Sequence, residues 1–167
     1  MRRAKVLFLV KFFFALATGY ALFAWRPVND HVVVPFTAFL ASIAGSAIHL
    51  IGEPVRVAGT EIAGARFGVN VNNGCNGIEA MLILLAAIVA VPASAKARAA
   101  GLLIGIVVVQ VLNQIRIITL YLLGAYQPRL FEIFHTAVWQ VAVIGAAVLV
   151  FVVWSNRIAP PRLPSGA

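Results

Sequence analysis

A chain of 167 residues that is 62% hydrophobic and only 11% charged cannot close as a water-soluble domain, because soluble domains carry roughly a quarter charged side chains. Lipid must cover part of the apolar surface, and the length allows one domain, 1–155. The net charge of +8 does not make a nucleic-acid surface, since the basic residues form no dense patch and stand at the ends of apolar runs.

In chain order, the first apolar run is 6–25, directly after Arg2, Arg3 and Lys5. It is long, and "AWRPVND" offers no small-residue cleavage pattern, so it reads as a retained spanning helix. Run 32–51 differs. In "PFTAFLASIAGSAIHLI" the bulky apolar residues Phe36, Phe39, Leu40, Ile43, Leu50 and Ile51 recur at helical spacing and make one stripe with Ala47. Thr37, Ser42, Gly45, Ser46 and His49 take the other face. That pattern predicts an amphipathic helix over 36–51, lying on the outer membrane surface. Next, Val55 and Val57 flank Arg56, and Phe67, Val69 and Val71 alternate with Arg66, Gly68, Asn70 and Asn72. Period-two patterning around a Gly-rich middle predicts a short β-hairpin at 54–73. Runs 77–93, 100–124 and 134–154 are apolar enough to span. The Pro-rich end, 156–167, reads as a cytoplasmic tail without order.

Charge sets the direction of these runs. Three basic groups stand out: Arg2, Arg3, Lys5 and Lys11; Lys96 and Arg98; Arg157 and Arg162. With all three on the cytoplasmic side, run 6–25 ends outside and run 77–93 starts outside. Run 32–51 then has both ends outside and does not cross. The expected fold is therefore an all-α integral membrane protein with four transmembrane helices, an outer-surface amphipathic helix and a short β-hairpin. A fifth span at 32–51 is the alternative, and it would place Cys75 in the cytoplasm. Eight basic residues inside (2, 3, 5, 11, 96, 98, 157, 162) against four outside (26, 56, 66, 129) favour four spans.

Polar residues that lipid makes expensive mark the candidate site. Arg116 lies deep in "VVVQVLNQIRIITLYLLG", where a guanidinium needs a partner or a wet cavity. Glu79, four residues after Cys75, is the expected counter-ion and would share a helix face with it. Asn113 falls one turn before Arg116 on the same face. His135 sits at the outer end of the last run, whereas His31 and His49 read as structural or solvent-facing. Cys75, the only cysteine, forms no internal disulfide. It is expected to begin a helix, whose positive end and a nearby cation lower a thiol's pKa. His135 can take the thiol proton and return it to a leaving amine, and Arg116 can neutralise an oxyanion. Nucleophile, base and electrophile together are the minimum for acyl transfer. Three scattered histidines and one cysteine make no metal site, and no cofactor is expected.

The blocks "NNGCNGIEAM", "NQIRIITLYLLG" and "IFHTAVW" resemble, in order and spacing, the signatures of the exosortase/archaeosortase family of membrane cysteine transpeptidases. The resemblance covers about residues 36–150, and the short length is similar to the compact exosortase H group. It implies Cys75 as nucleophile, with Arg116 and His135 as its catalytic partners. Asn76 stands where many members have serine, and its backbone N–H remains available to an oxyanion. The implied partners are the bilayer and exported proteins ending in a sorting signal: a motif of the IPTLxxWG type, an apolar helix and a basic end. The implied place of action is the outer face of the cytoplasmic membrane. The reading from another class is a non-catalytic transporter or assembly subunit, in which Glu79 and Arg116 form a structural ion pair and Cys75 is inert.

Overall fold

The computed structural model describes residues 2–157, so the predicted tail lies almost wholly outside the described residues. Five helices and one small sheet succeed each other: α1 (Arg2–Ala24), α2 (Arg26–Leu50), β1 (Val55–Ala58), β2 (Glu61–Gly64), β3 (Gly68–Asn70), α3 (Ile78–Ala90), α4 (Ala95–Tyr126) and α5 (Pro128–Arg157). Proline sets the starts of α2 and α5, where its missing N–H costs nothing. Ser94 caps α4, its Oγ accepting from Ala97 N–H at 3.2 Å, which satisfies one orphan donor of the first turn. Single π-helical turns occur in α2 (Asn29–Val33) and α5 (Phe134–Val138).

The elements sort into two layers along α4. One layer packs α3 and α5 on the N-terminal half of α4, with α1 laid on α3, around a core of Ala80, Leu84, Ile88, Val109, Val143, Ala147 and Trp154. The other packs α2 and the sheet on the C-terminal half of α4, around Ala41, Ala44, Ile48, Ile62, Val71, Ile117 and Tyr121. Phe8 meets Phe151, Arg98 donates to the Val91 carbonyl and Trp154 to the Ala97 carbonyl. These contacts gather Arg3, Lys5, Lys96, Arg98 and Arg157 at the end of the first layer remote from α2 and the sheet. Eighteen residues of α4 separate Arg98 from Arg116, about 27 Å at the helical rise, close to the ~30 Å of a hydrocarbon core.

The outside of this bundle is greasy. None of the apolar window of α1 is buried within the protein, and Val10, Phe13 and Phe14 are all more than half exposed. Such surface needs lipid. The helices approach each other through small residues: a Cβ added at Gly101 would collide with the Trp154 indole, and one at Gly105 with Leu84. Small-xxx-small spacing is the usual device where lipid removes any hydrophobic drive between helices.

One expectation needs correction. Four helices are long and apolar enough to cross a membrane, but the four are α1, α2, α4 and α5. The expected span at 77–93 contains only the 13-residue α3, about 20 Å long. It is short because Gly77 starts it late and Val91 turns into extended backbone before Pro92. Packing nevertheless keeps α3 between α1, α4 and α5, while α2 lies beside the sheet.

Helix α2 meets the protein through its smaller side chains. The buried side is Thr37, Leu40, Ala41, Ala44, Gly45 and Ile48, and the bulky stripe of Phe39, Ile43 and Leu50 points out. Small side chains let α2 approach α4 and β1 closely, so the smooth face packs inward and the greasy face is left for lipid. The predicted hairpin proves to be a three-stranded antiparallel meander, β1-β2-β3, because the alternation after Arg66 supplies a strand of its own.

Replacing Gly101 with valine should push α4 off Trp154. Overpacking of this kind costs about 1–3 kcal/mol, so the variant's thermal unfolding in detergent should shift down by several degrees while Gly145→Ala, which meets open space, leaves it unchanged.

Candidate active site

The chain crosses between the two layers in the loop "NNGCNG", and the candidate site lies at that seam. Gly74 (φ +88) and Gly77 (φ +77) both adopt left-handed backbone, which glycine alone accepts without strain. Between these corners Cys75 is held out of helical conformation, its N–H donating to the Asn72 carbonyl at 2.9 Å. Asn76 is fully buried and locks the loop. Its Nδ2 donates to Thr37 Oγ1 (3.0 Å) and Asn73 Oδ1 (3.3 Å), and its Oδ1 accepts from Ile78 N–H (3.1 Å). Gln110 donates to the Asn76 carbonyl at 3.2 Å. Helices α2, α3 and α4 thus all hold the residue next to the cysteine.

Three predicted residues converge. Cys75 Sγ lies 3.4 Å from His135 Nε2, and Arg116 Nη2 lies 3.5 Å from the same sulfur. Arg116 is 3% exposed. Its Nη1 donates to the Gly74 carbonyl at 3.1 Å, and its Nε has no partner. His135 belongs to the π-helical turn of α5, a feature frequent at functional sites. Its ring stacks on Phe131 with centroids 5.5 Å apart, and Phe131 in turn meets Phe67 at 5.3 Å. The three functional side chains open on a cleft of about 310 Å³, whose walls include β3, Ile117, Leu120 and Phe131.

Two predicted supports behave differently. Glu79 does not pair with Arg116: the guanidinium's partners are a backbone carbonyl and the sulfur, and no carboxylate bonds to it among the described residues. The i to i+4 argument fails because α3 begins at Ile78, not at Cys75, and the left-handed Gly77 breaks the helical register between them. Asn113 is fully buried with neither side-chain atom bonded. It stands against Gly77, whose Cβ would lie 3.4 Å from Asn113 Cγ, and so abuts the loop without touching the sulfur. Thr37, Asn73, Phe131 and the β3 edge were not singled out from sequence. Only Phe131 left a trace there, four residues before His135 and therefore on its helical face.

Electrostatics also depart from expectation. Burial pushes the Cys75 thiol above its ordinary value; Arg116 pulls it down, and Glu79 pushes it up again. Desolvation of the charged form outweighs the cation. The protonated form of the sulfur is therefore favoured, with His135 Nε2 as its neighbour at 3.4 Å.

The family model described as transmembrane exosortase matches residues 3–154. The chain belongs to the transmembrane exosortase family. No curated protein and no solved structure matches it. The exosortase match runs from the first helix to Trp154 and so contains both layers and the whole seam. Membership and the apolar helices together make this exosortase a multi-pass membrane protein.

Because the chain has one cysteine, alkylation reports on this site alone. The midpoint of iodoacetamide reactivity against pH should lie above that of a free thiol. Arg116→Gln removes the influence that lowers the thiol's pKa and should move the midpoint further up. Glu79→Gln removes one that raises it and should move it down. Equal midpoints in the three proteins would contradict the electrostatics described here.

Proposed function

We propose that this exosortase is a cysteine transpeptidase that cleaves the C-terminal sorting signal of exported proteins at the outer face of the cytoplasmic membrane. The observation that carries the reading is one sulfur within 3.5 Å of both an imidazole nitrogen and a buried guanidinium that, among the described residues, has no carboxylate partner. His135 takes the Cys75 proton at Nε2 while the sulfur attacks the scissile carbonyl. The oxyanion develops beside Arg116 Nη2, whose charge is already desolvated and aimed and so needs little reorganisation in the transition state. The imidazolium then gives its proton to the departing amine, leaving a thioester on Cys75. An acceptor amine or hydroxyl, or water, attacks that thioester, and Sγ recovers its proton as it leaves.

Family membership supports the substrate class, with an IPTLxxWG-type signal as the proposed motif and the compact exosortase H group as the proposed subfamily. The basic residues at the end remote from the cysteine support an outward-facing site, by the positive-inside bias. The rival reading, a non-catalytic transporter or assembly subunit, depended on a Glu79–Arg116 ion pair, and the guanidinium's bonds go elsewhere.

A reporter ending in an IPTLxxWG motif, an apolar helix and a basic cluster, co-expressed with the enzyme, tests the chemistry. Cys75→Ala should abolish processing while the protein remains inserted. His135→Ala should slow it by about 10²–10⁴-fold, the range of general acid–base catalysis, and Arg116→Gln by about 10²–10³-fold, that of a lost oxyanion donor. Processing by Cys75→Ala at the parent rate would reject the nucleophile.

Topology is tested separately. A membrane-impermeant maleimide applied to intact cells should label Cys75, and should spare a cysteine placed at Lys96 in a Cys75→Ala background until the cells are permeabilised. The opposite order would require the five-span arrangement.

A further inference from the structure

Strand β3 is the edge of its sheet, and its free side opens on the nucleophile. It pairs only with β2, in the register Ile62↔Val69. Gly64 N–H donates to the Phe67 carbonyl and Val71 N–H to the Thr60 carbonyl. In an antiparallel ladder, residues alternate between exchanging backbone bonds with the partner strand and turning those groups away from it. Phe67, Val69 and Val71 therefore face β2, and Gly68 and Asn70 direct their N–H and C=O groups outward. Among the described residues no other backbone group bonds to them. Both residues are exposed and line the cleft that contains Cys75, Arg116 and His135.

Such an edge is a template for another chain, and proteins usually blunt it with lysine, proline or a covering element. Here the edge residues are glycine, valine and asparagine. Gly68 in particular presents no side chain to an approaching backbone.

We infer that the substrate segment carrying the scissile bond binds as a fourth strand along Gly68–Asn70. This rests on the proposed reading of Cys75 as nucleophile and adds how the substrate is held. Main-chain bonds to Gly68 and Asn70 supply affinity and fix the register, and alternate substrate side chains enter the cleft. Ile117, Leu120 and Phe131 give those side chains an apolar wall. The ligand class is thus an extended peptide with free amide N–H groups at every second position, apolar where it faces α4 and α5.

Asn70→Pro tests the inference with little cost to the sheet. The deleted N–H is the outward one, and proline is tolerated on an edge when the lost donor faces away from the ladder. Asn70→Ala is the reference, since both variants lose the Asn70 Oδ1 contact with Thr60 Oγ1 and only one loses the N–H. Cleavage of the sorting-signal reporter should be at least tenfold slower in Asn70→Pro than in Asn70→Ala, with the two equal in iodoacetamide reactivity. Equal cleavage would overturn the strand-addition inference and leave the nucleophile assignment standing, because that assignment fails only if Cys75→Ala still processes.

A second measurement leaves the enzyme untouched. Synthetic IPTLxxWG peptides are N-methylated at one amide at a time and offered to the purified enzyme in detergent. Sensitivity at alternate positions supports strand addition; uniform tolerance or a pattern without period two overturns it. A detergent-solubilised dimer that Asn70→Pro converts to monomer would also overturn it, by assigning the edge to a second copy of the chain.

Discussion

A guanidinium removed from water needs an anion, and at Arg116 the nearest acceptors are a backbone carbonyl and a thiol. Burial of a charge costs several kcal/mol unless it is paired and fully hydrogen-bonded. Arg116 is buried but incompletely satisfied, with its Nε unpartnered. Structural ion pairs do not look like this. In the proposed mechanism the charge that completes the arrangement appears only during the reaction, on an atom that occupies the cleft beside Cys75. The remaining architecture can be understood as what keeps this cation in place and dry.

That architecture is a seam between two small cores. Below it, α3 and α5 pack on α4 through glycines and alanines, and α1 packs on α3. Above it, α2 and the sheet pack on the same helix. Because α4 is 32 residues long, it passes through both layers and delivers Arg116 at the boundary. The loop carrying Cys75 is fastened there by Asn76, which bonds to Thr37 of α2 and caps Ile78 of α3. His135 arrives on the π-helical turn of α5. Among the described residues no carboxylate bonds to it, and its ring is held by the Phe131 and Phe67 stack instead.

The division into layers also divides recognition. A lipid-facing bundle suits a substrate that is itself a membrane helix, while an open strand edge suits the extended segment next to it. A desolvated thiol, protonated at rest, fits the same scheme. It is less reactive toward adventitious electrophiles than a thiolate would be, and in the proposed mechanism it becomes nucleophilic when His135 accepts its proton against a bound carbonyl.

Much of this was legible before any coordinates. The apolar runs, the basic residues at their ends and the lone cysteine among glycines determined a membrane protein with its functional polar groups on the side opposite the basic ends, because the cost of charge in lipid is paid locally along the chain. Arg116 stood out for the same reason, Cys75 as the lone cysteine and His135 by its place at the outer end of the last run. What the tertiary structure decided was everything that depends on a neighbour. Gly77 broke the helical register that would have brought Glu79 to Arg116. The small face of α2 packed inward because α4 was there to receive it. The thiol's pKa rose because burial outweighed a cation that the sequence could name but not weigh. The free edge of β3 emerged only from pairing, since which side of a strand is left unbonded is a property of its partner and not of its own residues.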